Sequence, residues 1–411
     1  MKKHVPRSGG TSRKRGESVG KYYAFVGSWS MKPGPKGIGI YEYNPETADL
    51  TFVRTIHEES SVGNQYYDAG SRILYTTDEG ANVPGTAAGR ILTFRTDPEA
   101  GLVDLGAFPT VLPKPSAVCK DTEGNCLLVS HHSNRGAVTQ AVRREDGTWT
   151  SRTVSDEAAL ALLSLDAEGK PEKILDCVIT RGEDPYGTRH MLSHMHDVTP
   201  DPSGELYLVC DKGMDCIYSF RLDRKARRLR LLRTTQAPED SAPRYIVFHP
   251  TLPVLFENNE RRPLLLTYRY DTEGGALELL DEISFAEDSG APQVSSSAPG
   301  DGFGLRGLTI QPSALVIHPD GKTLYSSFRG TNTIVVLRID ESGIPHPVQT
   351  VDCGGVNPRG LCLSPDGRFL FSANIESGSI ARFFVAADGT LLPAGEPMPA
   401  HMPANIVIAE T

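Results

Sequence analysis

The feature that most restricts the fold is a repeated strand–turn–strand pattern. Each clear copy has an apolar strand, a turn that contains Pro and a second apolar strand. The four copies are HDVTPDPSGELYLVCDKG from His196, RYIVFHPTLPVLFENNE from Arg244, SALVIHPDGKTLYSSFRG from Ser313 and RGLCLSPDGRFLFSANIE from Arg359. Weaker copies begin near Gly63 and Ser116, and an alternating third strand such as TIVVLRID follows each copy. Four antiparallel strands in roughly 40 to 50 residues are typical of a β-propeller blade.

The spacing of the copies predicts the number of blades and how the ring closes. Units begin near residues 62, 114, 190, 242, 311 and 357, which gives six blades. The N-terminal segments KYYAFVGSW and GIGIYEYN add strands that lack an inner neighbour, and the C-terminal PANIVIAE supplies one. We therefore predict an all-β, seven-bladed propeller over residues 20–411, closed by the N- and C-terminal strands so that no sheet edge is exposed.

Two stretches interrupt the repeat. The first, 155–188, contains SDEAALALLSLDAEG and is predicted to form a short helix with a loop; the second, 283–310, is rich in Ser, Gly and Pro. Long loops inside a compact domain are uncommon unless they are functional or disordered. We therefore expect both stretches to lie between blades.

Composition and charge exclude several classes of partner. The 40 glycines and 30 prolines suit many short strands joined by turns. A net charge of −9 argues against binding to nucleic acid or anionic membranes, and no apolar run is long enough to span a bilayer. Residues 1–19 are basic and polar, without the apolar segment of a secretory signal, so we expect a flexible tail.

The cysteines bear on the compartment. Their number is seven, which is odd, and no C-x-x-C occurs, so reduced thiols in a cytoplasmic protein are expected. A closed propeller has no edge to share with a second copy, so a monomer is expected as well.

Two positions of the repeat collect polar side chains. The first lies six residues before the turn, at the start of each inner strand; it holds Ser116, His196, Arg244, Ser313 and Arg359. The second lies ten residues after the turn, at the end of each second strand; it holds His132, Lys212, Glu260, Arg329 and Ile375. Because antiparallel neighbours bring the start of one strand beside the end of the next, both sets are expected at one end of the central channel, which we call the mouth.

The segment RHMLSHMHD raises the question of a metal. His194 and His196 fall on the same side of a strand, which can serve a divalent ion, with His190, Asp197 or Glu260 as a third ligand. The arginines expected at the same mouth would repel a cation and suit a carboxylate or phosphate instead. We therefore expect an anion site without a metal, and keep a divalent ion at the histidines as the less favoured alternative. Motifs for nucleotide, flavin and zinc-protease chemistry are absent, so no cofactor is expected.

Several segments together resemble the seven-bladed lactonase family, which includes propeller-type 6-phosphogluconolactonases and fungal carboxy-cis,cis-muconate cyclases. They are YYAFVGSW with GIGIYEYN, HMHDVTPDPSGELYLVCDKGMDCIYSF, APRYIVFHP, SALVIHPDGKTLYSSFRGTNTIVVL and NPRGLCLSPDGRFLFSANIESGSI. The resemblance implies four site residues, which the repeat also assigns to the mouth: His196, Arg244, Glu260 and Arg329. The chain departs from the family pattern at Tyr245, where His is common, and at Phe328, where Asn is usual.

These residues suit a carboxylic ester hydrolase that opens a sugar-acid lactone. The reaction needs a base for water and positive charge for the oxyanion. His196 has an ordinary pKa suited to the first task, and Arg244 or Arg329 could supply the second. Glu260 would orient them or act as the base. The expected substrate is a small anionic lactone or carboxylate, bound by Arg359 with further candidates His194, Ser116 and Ser313.

Two other functions remain open from the sequence. In a cycloisomerase, a carboxylate adds across an alkene to close a lactone, and His196 or Glu260 delivers the proton. A propeller can also serve as a non-catalytic binding platform, because the fold hosts many unrelated functions.

Overall fold

All regular structure in the described part of the chain is β-sheet. A computed structural model describes residues 20–30, 34–80, 83, 85–86, 88–133, 137–180, 192–285 and 310–411. These residues form 31 strands and no helix, and so contain no helix that could cross a membrane. Seven sheets of four or five antiparallel strands confirm the seven-bladed propeller. The predicted tail, residues 1–19, lies outside the described residues.

The blades follow one another along the chain. Blade 1 begins with β1 (Tyr22–Ser28), β2 (Gly37–Tyr43) and β3 (Leu50–Ile56). Blade 2 contains β4 (Val62–Asp68), β5 (Ile73–Asp78), β6 (Arg90–Asp97) and β7 (Gly101–Pro109). Blade 3 contains β8 (Pro115–Lys120), β9 (Cys126–His131), an inserted hairpin of β10 (Ala137–Arg143) and β11 (Trp149–Ser155), then β12 (Ala158–Leu165) and β13 (Pro171–Thr180). Blade 4 contains β14 (Met195–Pro200), β15 (Tyr207–Asp211), β16 (Cys216–Asp223) and β17 (Arg228–Gln236).

The last three blades repeat the order from the inner to the outer strand. Blade 5 contains β18 (Pro243–Phe248), β19 (Val254–Asn259), β20 (Leu264–Tyr270) and β21 (Leu277–Ser284). Blade 6 contains β22 (Gln311–Ile317), β23 (Thr323–Arg329), β24 (Thr333–Ile339) and β25 (Pro345–Asp352). Blade 7 contains β26 (Pro358–Leu363), β27 (Phe369–Asn374), β28 (Ser379–Val385), β29 (Leu391–Pro393) and β30 (Met398–Pro399).

The C-terminal strand closes the ring as predicted. Strand β31 (Pro403–Glu410) pairs with β1, with Tyr23 opposite Ala409, and thereby becomes the inner strand of blade 1. The seven inner strands contact one another in a closed circle, in the order β4, β8, β14, β18, β22, β26, β31 and back to β4. The two ends of the chain therefore hold the ring shut.

Burial changes from the channel outwards in each blade. The second strands are buried along their length, whereas outer strands such as β17 alternate or face solvent on one side. Neighbouring blades cover both faces of the middle strands, so these strands consist of nearly continuous apolar residues. Leu208 and Ile217 of blade 4, for example, belong to one apolar cluster with Leu255 and Leu266 of blade 5. Each such side chain contributes about 1.5–3 kcal/mol through burial.

The helix predicted within 155–188 is wrong, and so is the placement of that stretch between blades. AALALLSL forms the third strand of blade 3, and seven of its eight residues are buried. A short, wholly apolar run has no periodicity that distinguishes a buried strand from a helix. The interruption is instead the hairpin β10–β11, inserted between the second and third strands. Of the stretch 283–310, residues 283 and 284 belong to the outer strand of blade 5, and residues 286–309 lie outside the described part of the chain.

Candidate active site

A β-bulge at the start of every inner strand sets apart the position that the repeat predicts at the mouth. In blade 4 the pairing passes from Met195 to Asp197, so His196 has no partner on β15. A bulge of this kind re-aims the extra residue. In the other blades the pairing with the second strand skips the equivalent residues in the same way. These are Ala404, Gly63 with Asn64, Ser116, Arg244, Ser313 with Ala314, and Arg359.

The second set of side chains comes from the ends of the second strands. Asn259 is paired with Pro243 in blade 5, so Glu260 follows directly beside the bulge that holds Arg244. The same register places seven residues around the mouth, one from each blade: Trp29, Glu79, His132, Lys212, Glu260, Arg329 and Ile375.

Glu260 is the centre of a buried ionic cluster that joins three blades. Its Oε1 lies 2.5 Å from Arg329 Nη2 and 3.8 Å from Arg244 Nε, and its Oε2 contacts the Lys212 ammonium. Burial by itself would raise the pKa of the Glu260 carboxyl, but Lys212, Arg329 and Arg244 hold that pKa well below its usual value. Among the described residues, three cations thus surround the Glu260 carboxylate.

The Arg244 guanidinium is fixed by neutral contacts as well. Its Nη1 donates a hydrogen bond of 2.8 Å to the carbonyl of Ser313 in the next blade. Its Cζ lies 4.6 Å from the centre of the Tyr245 ring, a distance suited to a cation–π contact. The side chain is only 2 % exposed, so Arg244 is held in one orientation before any ligand arrives.

Three histidines lie beside this cluster. The ring of His132 stacks on His194, with centres 3.6 Å apart, and lies 5.2 Å from the ring of His196. The other neighbour of His196 is the ring of Tyr245, at 5.0 Å in an edge-to-face arrangement. Burial, together with Arg244 and Lys212, lowers the pKa of His196 well below its usual 6.5. The imidazole is therefore neutral at neutral pH.

The histidines are poorly arranged for a metal. In the described part of the chain, no three His, Cys, Asp or Glu side chains form a group that could hold an ion. His132 and His194 are stacked face to face, so lone pairs that lie in their ring planes do not converge. The Asp197 carboxylate accepts hydrogen bonds from the Thr199 hydroxyl and the Ile246 N–H instead. His190 lies outside the described residues. The absence of a metal at His194 and His196 stays a prediction.

Arg359 belongs to a second cluster, whose other members the Pro-turn repeat did not predict. Its Cζ lies 4.3 Å from the centre of the Trp29 ring, and its Nη2 lies 4.0 Å from Glu79 Oε1. The count was not extended to blades 1 and 2, so both partners were missed, although Glu79 follows Gly63 by sixteen residues, as Glu260 follows Arg244. Alignment by strand pairing would have found Glu79, because Asp78 pairs with Val62 as Asn259 does with Pro243.

The two predicted serines link blades through their hydroxyls. Ser116 Oγ donates to the carbonyl of Met195 at 2.9 Å, and Ser313 Oγ donates to the carbonyl of Arg359 at 3.1 Å. Each bond holds the adjacent bulge in place, and both serines are buried. His194 is anchored similarly, since its N–H donates to Asp211 Oδ1 at 2.7 Å. Contact of these three residues with substrate stays a prediction.

Comparison with known proteins places the fold and the family. The family model described as "Lactonase, 7-bladed beta-propeller" matches residues 23–408. The 6-phosphogluconolactonase of Formosa agariphila is 23 % identical over 369 residues, covering 87 % of this chain and 91 % of that protein. The 6-phosphogluconolactonase of Bacillus subtilis is 25 % identical over 368 residues, covering 88 % and 91 %. The periplasmic gluconolactonase structure from Pseudomonas aeruginosa superimposes with a TM-score of 0.76 at 20 % identity, over 95 % of this chain and all of that one, which shows the shared fold.

Proposed function

The chain belongs to the seven-bladed β-propeller lactonase family, and from this premise we propose that it hydrolyses the lactone of a sugar acid, with or without a phosphate group. The observation that carries the proposal is that the four predicted site residues, His196, Arg244, Glu260 and Arg329, are linked by contacts. Glu260 joins Arg244 and Arg329, and the neutral His196 shares Tyr245 with Arg244. Relatives named 6-phosphogluconolactonase support the substrate class.

The charge of the mouth suits an anionic substrate. The whole chain has a net charge of −9, yet the described members of the Glu260 cluster are three cations and one carboxylate. A local positive field in a poorly solvated site attracts anions strongly. A phosphorylated sugar lactone has negative charge on its phosphate before reaction. Any lactone develops negative charge on its carbonyl oxygen in the transition state.

His196 is the general base in this mechanism. Its neutral imidazole takes a proton from water as the water oxygen attacks the lactone carbonyl carbon. The surrounding cations disfavour the imidazolium in the free protein. A bound anion offsets their effect, so the pKa of His196 rises when substrate binds and the base becomes stronger where it is needed.

Arg244 and Arg329 stabilise the oxyanion that forms on the carbonyl oxygen. Glu260 is a weak base, because its ion pairs hold the pKa of the carboxyl well below its usual value; its role in this mechanism is to fix both guanidinium groups in advance. When the intermediate collapses, the bond from the carbonyl carbon to the ring oxygen breaks. The imidazolium of His196 returns its proton to that oxygen, and a hydroxy acid leaves.

A substrate screen with product identification tests the proposal. Purified protein is given glucono-δ-lactone, 6-phosphoglucono-δ-lactone and 3-carboxy-cis,cis-muconate, with protein-free reactions to correct for spontaneous lactone opening. We expect catalysed opening of a sugar-acid lactone, lowered about 100-fold or more in Arg244→Ala, which must retain the wild-type circular dichroism spectrum. Conversion of the muconate alone would identify a cycloisomerase and overturn the proposal, and no turnover at all would favour a binding platform.

A further inference from the structure

We propose that Trp29, Glu79 and Arg359 form a hydroxyl-recognition subsite that holds the polyhydroxylated part of the substrate and thereby orients the lactone. This inference rests on the proposed lactonase function and extends it, because it states how the mouth distinguishes a sugar lactone from a lactone without hydroxyl groups.

The subsite occupies its own part of the ring. Its residues come from blades 7, 1 and 2, whereas the Glu260 cluster comes from blades 4, 5 and 6. The two clusters share one mouth, since the charge of Arg359 affects the pKa of His196 and the charge of Lys212 affects that of Glu79. The two clusters therefore interact electrostatically.

Glycine at one bulge makes room for the Glu79 side chain. A Cβ atom on Gly63 would lie 1.9 Å from Glu79 Oε1 and 3.3 Å from Trp29 Cδ1. The blades with Ser, His or Arg first in the bulge show that this position accepts a side chain in general. Gly63 also contributes its carbonyl oxygen, 3.5 Å from Arg359 Nη1. The missing side chain in blade 2 thus allows an acid, an indole and a guanidinium to meet.

Glu79 is an unusual group to find in a site for anions. It is 7 % exposed, and burial raises the pKa of its carboxyl, with Arg359 and the Trp29 indole acting in the opposite direction. The indole Nε1 lies near this carboxyl but has no hydrogen bond of ordinary geometry within the described residues. Arg359 Nη2 lies 4.0 Å from Glu79 Oε1, which is too far for a hydrogen bond, so the carboxyl keeps acceptor capacity for a ligand.

The chemistry of the three groups selects hydroxyls. A carboxylate repels the acid or phosphate of the substrate and only accepts hydrogen bonds, so its best partner is a neutral donor such as a hydroxyl. The partly exposed Trp29 offers an indole face to C–H groups, and Arg359 donates to further oxygens. The bound lactone is therefore held in one orientation: its acyl carbon faces Arg244 and Arg329, and its hydroxyls face Glu79.

Kinetics on a matched pair of lactones test the subsite. Glucono-δ-lactone and δ-valerolactone share the six-membered ring, and only the first has hydroxyls. For Glu79→Gln and for Trp29→Leu, we expect kcat/KM on glucono-δ-lactone to fall about 10- to 100-fold, with less than about a threefold change on δ-valerolactone. Gly63→Ala should reproduce the selective loss without removing any functional group. Glu376→Gln, an exposed acid one residue beyond the same ring position, is the matched control and should change neither rate.

A binding measurement separates this inference from the lactonase proposal. The chain has two tryptophans, and Trp149 is 69 % exposed on the β10–β11 hairpin, so Trp149→Phe leaves Trp29 as the only indole reporter. We expect gluconate, but not valerate, to change its fluorescence saturably, and Glu79→Gln to abolish the change. A gluconate response without any lactone turnover would refute the lactonase proposal alone. Equal losses on both lactones, or no gluconate response in a protein that lacks turnover, would overturn the subsite.

Discussion

Replacement of Glu260 by Gln tests whether the ionic cluster is as strongly coupled as its geometry indicates. The amide keeps the shape of the side chain but leaves Lys212, Arg244 and Arg329 buried without their counter-charge. The carboxylate is 3 % exposed and contacts all three cations. Breaking a buried pair in this way costs about 3–5 kcal/mol, so we expect Glu260→Gln to lower the free energy of unfolding by that amount.

An exposed pair provides the matched control. Glu278 makes a 2.8 Å salt bridge with Arg269, but their side chains are 66 % and 55 % exposed, so Glu278→Gln should cost no more than about 1 kcal/mol. In urea, with an m-value of about 3 kcal/mol per M or more for a chain of this size, the Glu260 variant should unfold at a midpoint lower by roughly 1 M with an unchanged m-value.

Proton loss from Lys212 adds a check on the cause. Burial, only partly opposed by Glu260, lowers the pKa of Lys212 to about 8, so at pH 9 one cation of the cluster has lost its charge. The cost of Glu260→Gln should therefore be smaller at pH 9 than at pH 6. Equal midpoints for the Glu260 and Glu278 variants would refute the description of the cluster as a buried ionic centre.

Three further predictions concern pH, two for catalysis and one for stability. The base must be neutral, and burial lowers the pKa of His196. The plateau of kcat/KM against pH should therefore continue below pH 6.5. A fall of kcat/KM on the acidic side with its midpoint at or above pH 6.5 would contradict this. The KM for an anionic lactone should rise above about pH 8 as Lys212 loses its charge, and a flat KM would exclude Lys212 from binding. Burial raises the pKa of Glu257 from 4.5 to about 8, so the folded protein keeps a proton that the unfolded chain releases. The free energy of unfolding should therefore fall by about 1.4 kcal/mol per pH unit between these values. Urea midpoints of wild type and Glu257→Gln that change in parallel from pH 5 to pH 8 would contradict this.

The sequence predicted the fold well because two patterns agree: apolar residues mark each strand, and the strand–turn–strand unit recurs once per blade. Pro turns fix the distance to both mouth positions, so the sequence alone assigns Arg244 and Glu260 to the same end of the channel. The count was not extended to blades 1 and 2. In blade 2, Glu79 follows Gly63 by sixteen residues, as Glu260 follows Arg244, so the same spacing would have assigned Glu79. In blade 1 the inner strand comes from the other end of the chain, so no such count reaches Trp29. The strand at Ala158–Leu165 was missed for a different reason, since its apolar residues have no period.

The electrostatics of the site depend on three blades at once and could not be inferred from any one segment. The sequence assigned an ordinary pKa to His196, whereas burial and the charges of blades 4 and 5 lower it. The sequence left Glu260 as an orienting residue or a base, and its ion pairs, which lower the pKa of its carboxyl, are the reason we propose the first role. The cytoplasmic location, the monomeric state and the absence of a cofactor stay predictions.

The most direct test of the central claim is the rate of proton release from 6-phosphoglucono-δ-lactone at constant pH 7, compared between wild type and His196→Asn. The matched control is His346→Asn, whose imidazole is 60 % exposed on the outer strand of blade 6. Catalysis well above the protein-free rate in wild type and control, with a loss of about 100-fold or more in His196→Asn, is the predicted result. Equal rates in all three folded proteins would contradict the assignment of the mouth as the active site.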